Sequence, residues 1–136
     1  PPRTRVRGLP AALCALRASQ AGASRFMPAV SIDRSVTIAK AAQTIAFGAL
    51  PLRPLNDPPF AIAAVASSKL AVQFTSTTSS ICTVSGSTVS LIGAGQCRID
   101  ANQPGNADFN AAPAVAQTFA VLPATQSITF DAISEQ

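Results

Sequence analysis

Gly93-Ala94-Gly95-Gln96-Cys97-Arg98-Ile99-Asp100-Ala101 is the stretch that decides the fold. A glycine-bracketed turn leads into strict alternation, with Cys97, Ile99 and Ala101 on one side and Arg98 and Asp100 on the other. Successive side chains of a strand point to opposite faces, so this pattern predicts a strand with one face on a core. A helix would place its apolar residues three and four apart in turn, whereas Cys97, Ile99 and Ala101 recur two apart.

The same period runs outward in both directions. Upstream, Cys82 and Val84 lead to a turn at Ser85-Gly86, and Val89 and Leu91 then alternate with Thr88 and Ser90. Leu70, Val72 and Phe74 point inward, with Ala71, Gln73 and Thr75 outward. The run from Phe60 to Ala66 places Phe60, Ile62 and Ala64 together, and a first strand carries Ile45, Phe47 and Ala49 on one face. Downstream, a strand from Val115 to Val121 turns Phe119 and Val121 inward; Gln117 interrupts it and reads as an edge or a bulge. Pro51, Pro54, Pro58 and Pro59 exclude a long central strand between Leu50 and Phe60. About seven short strands with turn signals every 8–12 residues predict an all-β antiparallel sandwich. Its expected core is Val72, Phe74, Val84, Leu91, Ile99 and Phe119. The Ser/Thr-rich stretch 75–80 could serve as a flexible linker, but Phe74 and Cys82 flank it too closely for that.

The chain also repeats itself. Gln43-Thr44-Ile45-Ala46-Phe47 is echoed by Gln126-Ser127-Ile128-Thr129-Phe130, an offset of 83 residues. Without a gap, that offset pairs Cys14 with Cys97, Gln20 with Gln103, Gly22 with Gly105 and Phe26 with Phe109. Residues 1–53 and 84–136 share 13 identities over 53 positions, and the aligned Cys, Gln, Gly and Phe weigh against chance in an Ala-rich chain. The arithmetic predicts a window on a tandem array. Residues 1–42 would be the later part of one repeat, 43–125 a complete repeat, and 126–136 the first strand of the next. Each unit is longer than a solenoid repeat and can hold a core of its own.

Composition narrows the function. Among 136 residues there is no His, Trp or Tyr, which removes His-based acid–base chemistry and His metal sites. Charged residues make up 12%, about half the usual share, while 48% are hydrophobic, so the chain does not have a disordered composition. The net charge of +4 is uneven: residues 1–40 carry seven bases against Asp33, whereas residues 41–136 carry three bases against five acids. Bases scattered singly through one end do not make a nucleic-acid platform. The uncharged stretch between Lys69 and Arg98 is too rich in Ser, Thr, Gly and Gln for a membrane span.

Of three cysteines, Cys82 and Cys97 fall on inward phases of neighbouring elements. They fit either a structural disulfide or two buried thiols, and the bridge is the favoured reading. Cys14, the counterpart of Cys97, would have its partner at 82 − 83 = −1, ahead of residue 1. A nucleophilic role would need a base, and the chain has no His. Asp57, Asp100 and Asp108 are too dispersed to converge on calcium, and Asp57, beside Asn56 and Pro58, reads as a turn residue. Gly93-Ala94-Gly95 is not followed by a helix pattern or a Lys, as a phosphate loop would be. No cofactor, metal or catalytic residue is expected.

The stretch from Gln43 to Val121 resembles the bacterial Ig-like repeat of tandem surface and secreted proteins. The resemblance rests on Gln43 to Leu50, Ser76 to Gly86, Gly93-Ala94-Gly95-Gln96-Cys97, Ala101 to Asn106, Phe109 and Ala111-Ala112-Pro113. It implies an Ig-like antiparallel β-sandwich flanked by partial repeats, export from the cell to its surface or surroundings, and a Cys82–Cys97 bridge. It also implies a non-catalytic role as a spacer or stalk whose partners are neighbouring repeats in the same chain. The alternative is an adhesin or a carbohydrate-binding accessory module that meets a host protein, matrix protein or glycan. Two positions depart from the pattern: Lys69 stands at a turn usually made by Gly, and Leu55-Asn56-Asp57 replaces Tyr-Gly-Asp. Residues 1–36 match poorly, so the N-terminal flank is expected to contain the last strands of a repeat in a loosely ordered state.

Overall fold

The structure is a computed structural model and describes residues 10–132. Arg3, Arg5, Arg7 and the end of the expected 126–136 strand lie outside the described residues. The chain is all-β, with no helix among the described residues. It separates into two compact units, 44–103 with 112–132, and 10–43 with Pro104–Ala111.

The larger unit holds nine strands: β3 (Ile45–Phe47), β4 (Arg53–Pro54), β5 (Phe60–Ala61), β6 (Ala64–Ala66), β7 (Gln73–Ser76), β8 (Cys82–Ser85), β9 (Thr88–Leu91), β10 (Gly95–Asn102) and β11 (Val115–Leu122). One sheet has the order β4-β11-β10-β7, a second β5-β9-β8, and β3 pairs with β6. All ladders are antiparallel except β4 on β11, where the proline-bearing strand sits at the sheet edge. The inward residues of these sheets meet in one core of Ile45, Phe47, Ile62, Cys82, Val89, Cys97, Ile99, Ala101, Phe119 and Val121. That is a sandwich-like arrangement, and alternation along β10 creates its floor: Cys97, Ile99 and Ala101 are fully buried.

Several expectations change in detail. Phe60 to Ala66 is two strands, not one, because β5 joins β9 while β6 joins β3; the inward phase nevertheless continues through buried Ile62. The first strand ends at Phe47, and Ala49 is exposed. Val72, Phe74, Val84 and Leu91 are half-buried around the core, whereas Val89, absent from the expected set, is fully buried at its centre. Gln117 marks no bulge: the β10–β11 register runs unbroken from Gly95↔Val121 to Ala101↔Val115.

Lys69 is the one non-glycine with positive φ among the described residues, at 64°, closing a turn in which its N–H donates to Ala66 O at 2.9 Å. A Cβ in this left-handed region is crowded by its own backbone. Lys69→Gly is expected to raise stability by about 0.5–1 kcal/mol, relief of strain exceeding the entropy that glycine gives the unfolded chain. Urea denaturation with an unchanged slope and a higher midpoint is the readout; a lower midpoint contradicts the strain.

The smaller unit contains an antiparallel hairpin of β1 (Leu13–Gln20) and β2 (Ala29–Thr37). The loosely ordered flank expected from the sequence is thus, over 13–37, a paired ladder. Ala41 also bridges Phe109, donating its N–H to Asp108 O and accepting from Asn110 N. Residues 123–132 form no strand, and Ile128 and Phe130 stand exposed.

Candidate functional site

The most tightly built cluster surrounds the two buried cysteines. Cys82 on β8 and Cys97 on β10 are joined by a disulfide, with Cα atoms 5.7 Å apart, which ties the three-stranded sheet to the four-stranded one. Hydroxyls from the Ser/Thr-rich stretch close over it. Ser76 Oγ donates to Cys82 O at 2.8 Å and accepts from Thr78 N at 3.2 Å. Thr78 Oγ1 accepts from Arg98 N at 2.9 Å, carrying the sheet past the end of β7. So 75–80 is a bonded cover and not a linker. Nothing in this cluster is placed for nucleophilic chemistry: both sulfurs are spent in the bridge and are shut off from solvent. Disulfides persist in oxidising compartments, and a bridge built this deeply into the core fits one.

Three glutamines act as cross-links that sequence reading did not assign. Gln117 Nε2 donates to Phe47 O at 2.8 Å, Gln103 Nε2 to Ala71 O at 2.9 Å, and Gln43 Nε2 to Asn110 O at 2.7 Å. Gln43 and Gln103 are both buried. Each donates its side-chain amide to a backbone carbonyl distant in sequence, tying separate segments together. The repeat offset did flag Gln43 and Gln103, because each recurs 83 residues away, at Gln126 and Gln20. It could not say what they bind.

The acids go to separate places. Asp57 Oδ2 pairs with Arg53 at 3.3 Å in a turn where Asp57 N donates to Pro54 O, and the Arg53 guanidinium lies 3.9 Å over the Phe60 ring. Asp100 takes Arg98 at 3.0 Å, and Asp108 N bonds Asn106 Oδ1 in the loop of the smaller unit. Among the described residues no three His, Cys, Asp or Glu gather as metal ligands. Gly93-Ala94-Gly95 runs directly into β10. An open depression of about 420 Å³ beside Val72, Phe74, Gly86 and Ser87 holds no charged group. No helix among the described residues is long and apolar enough to cross a membrane. No family model, curated protein or solved structure matches the chain.

What remains is the hairpin, which has two unlike faces. On one, Arg17 grips Asp33 with two bonds, at 2.7 and 3.0 Å, between paired positions of β1 and β2. The guanidinium holds the Asp33 carboxyl below the usual carboxylate range. A lowered folded-state pKa stabilises above the unfolded carboxylate range, and the effect fades as pH falls through the folded value. Both side chains are solvated, so screening leaves little of it. Asp33→Asn should therefore change the thermal midpoint little at any pH between about 5 and 3, since a solvated pair adds little pH dependence to wild type. A pH-dependent loss confined to wild type contradicts this.

The other face carries Cys14, Leu16, Ala18, Ile32, Arg34 and Val36, which alternate with the first set in the same ladder. Leu16, Ile32 and Val36 are exposed, and Cys14 is a half-buried free thiol. A contiguous apolar face left in solvent marks an interaction surface.

Proposed function

We propose that the chain is a non-catalytic, Ig-like repeat module serving as a spacer or stalk in an exported surface or secreted bacterial protein. The supporting observation is the recurrence of one hairpin 83 residues apart. Moved by 83, the β1–β2 pairs Cys14↔Val36, Leu16↔Arg34 and Ala18↔Ile32 become Cys97↔Phe119, Ile99↔Gln117 and Ala101↔Val115, which are the β10–β11 pairs. The loops agree as well. Gly22 and Gly105 have φ of 82° and 80°, and Ala23 N and Asn106 N donate to Phe26 O and Phe109 O, each at 3.0 Å. A Cβ on Gly22 would lie 2.6 Å from Phe26 O, and one on Gly105 would collide with Phe109 O in the same way. One sequence period carrying one backbone period supports a concatenated domain. The buried bridge suits the oxidising surroundings of an exported protein.

A stalk needs length and stability, not a pocket, and the described surface offers neither convergent charges nor an aromatic platform of Trp or Tyr. The test is a glycan and matrix-protein array probed with the labelled chain. Spacer function predicts signal no higher than that of a denatured control. Saturable binding to one glycan class or matrix protein overturns the spacer reading in favour of an adhesin or carbohydrate-binding accessory module.

A further inference from the structure

The two hairpins match in register but not in burial. On β10–β11, Ile99 is 0% and Phe119 3% exposed, because residues 44–92 supply Ile45, Phe47, Ile62, Cys82 and Val89 to the same core. At the equivalent positions of β1–β2, Leu16 is 39% and Val36 52% exposed, and neighbouring Ile32 is 58% exposed. Cys14 occupies the place of Cys97, which is bonded to Cys82. Arg34 occupies the place of Gln117, whose side chain donates to the Phe47 carbonyl, so a donor is retained there. Gln20, in the place of Gln103, accepts from Gly22 N through Oε1 at 2.8 Å; its amide NH₂ is the group that Gln103 uses to reach Ala71 O. Sulfur, donors and apolar residues thus stand in the order that β10–β11 presents to its own covering half.

We propose that this face is an acceptor for a second copy of the half-repeat 43–92 entering on the same chain, whose counterparts of Ser80 O and Ile81 must shift to admit Pro10 and Ala12 where they now meet Gly93 and Gly95. We propose also that Cys14 forms a disulfide with the incoming counterpart of Cys82. This rests on the repeat reading and deepens it by naming the partner of the hairpin. The covalent step is exchange with a small-molecule disulfide. The two protein thiols lose two electrons and two protons in forming one S–S bond, and the donor is reduced to two thiols. Charge does not oppose docking, since the only base on the face, Arg34, lies at a position whose counterpart already meets a backbone carbonyl.

The experiment replaces residues 1–9 with a copy of residues 43–92, leaving 10–136 unchanged, and refolds the chain with oxidised and reduced glutathione. Peptide mapping should find two bridges, the native Cys82–Cys97 and one from Cys14 to the copied Cys82. Alkylation of Cys14 should slow, and amide protection over 13–37 should rise, by roughly tenfold or more relative to the original chain. Cys14→Ser in the extended chain should lose the new bridge and keep most of the new protection, because the apolar face still docks. An alkylatable Cys14 with unchanged protection over 13–37, or a bridge between Cys14 and any other cysteine, overturns the proposal. The array result does not depend on the hairpin, so the spacer reading fails or survives separately.

Discussion

Removing the Cys82–Cys97 bridge is expected to lower the unfolding free energy by about 3 kcal/mol. The cysteines are 15 residues apart, and in the chain-entropy account a cross-link of that span restricts the unfolded chain by about that amount. Its position adds a second reason. Both cysteines are fully buried where two sheets meet, so two separated thiols must repack in a space shaped for one bond. A unit of this size unfolds with a urea slope of about 1 kcal/mol/M, so the midpoint should fall by roughly 2–3 M on reduction. Marginal stability makes that a large fraction of the total. The comparison is urea denaturation with and without a phosphine reductant, repeated on the Cys82→Ala/Cys97→Ala double variant. A midpoint that moves by less than about 0.5 M at constant slope shows that the sheets hold without the bridge.

How far this architecture is legible in the sequence depends on what each residue reports. Alternation is strong where one face is buried, so Cys97-Arg98-Ile99-Asp100-Ala101 and Phe119-Ala120-Val121 read correctly as inward and outward. Alternation reports phase and says nothing of sheet membership. Phe60, Ile62, Ala64 and Ala66 keep one phase while the chain passes from the β9 side to the β3 side, which is why a two-strand segment reads as one. Depth is also invisible locally. Val84, Val89 and Leu91 are equivalent in pattern, yet only Val89 lies at the centre, because it faces both Phe60 across its ladder and the opposite sheet. Polar cross-links are misread for the same reason. Gln117 breaks the apolar pattern, but its target, Phe47 O, is 70 residues away and cannot be seen from β11. The N-terminal flank was obscured by its arginines: Arg17, paired with Asp33, interrupts the alternate series Cys14, Leu16 and Ala18 on the other face of β1. The two cysteines and the 83-residue offset were legible because they need only counting.

Phe119→Ala is expected to cost about 3–5 kcal/mol, the range for deleting a buried aromatic side chain. Phe119 is almost fully buried, faces Cys97 across the β10–β11 ladder, and meets the Phe60 ring edge-on at 5.9 Å and 75°. Losing that contact adds about 0.5–1.5 kcal/mol to the transfer and cavity terms. The Arg53 guanidinium lies 3.9 Å over the Phe60 ring and restrains it, so it does not readily move into the space. Phe119→Leu refills much of the volume and should cost about 1–1.5 kcal/mol. The same ladder position in the other hairpin provides the control. Val36 pairs with Cys14 as Phe119 pairs with Cys97, but it is 52% exposed. Val36→Ala should therefore shift stability by less than about 0.5 kcal/mol in the chain as it stands. In a chain where a half-repeat covers the hairpin, the same substitution should become costly, by about 1–3 kcal/mol. Calorimetric midpoints of each variant against its unsubstituted parent decide it: a Phe119→Ala cost near that of Val36→Ala would mean that register alone, and not the covering half, sets the worth of this position.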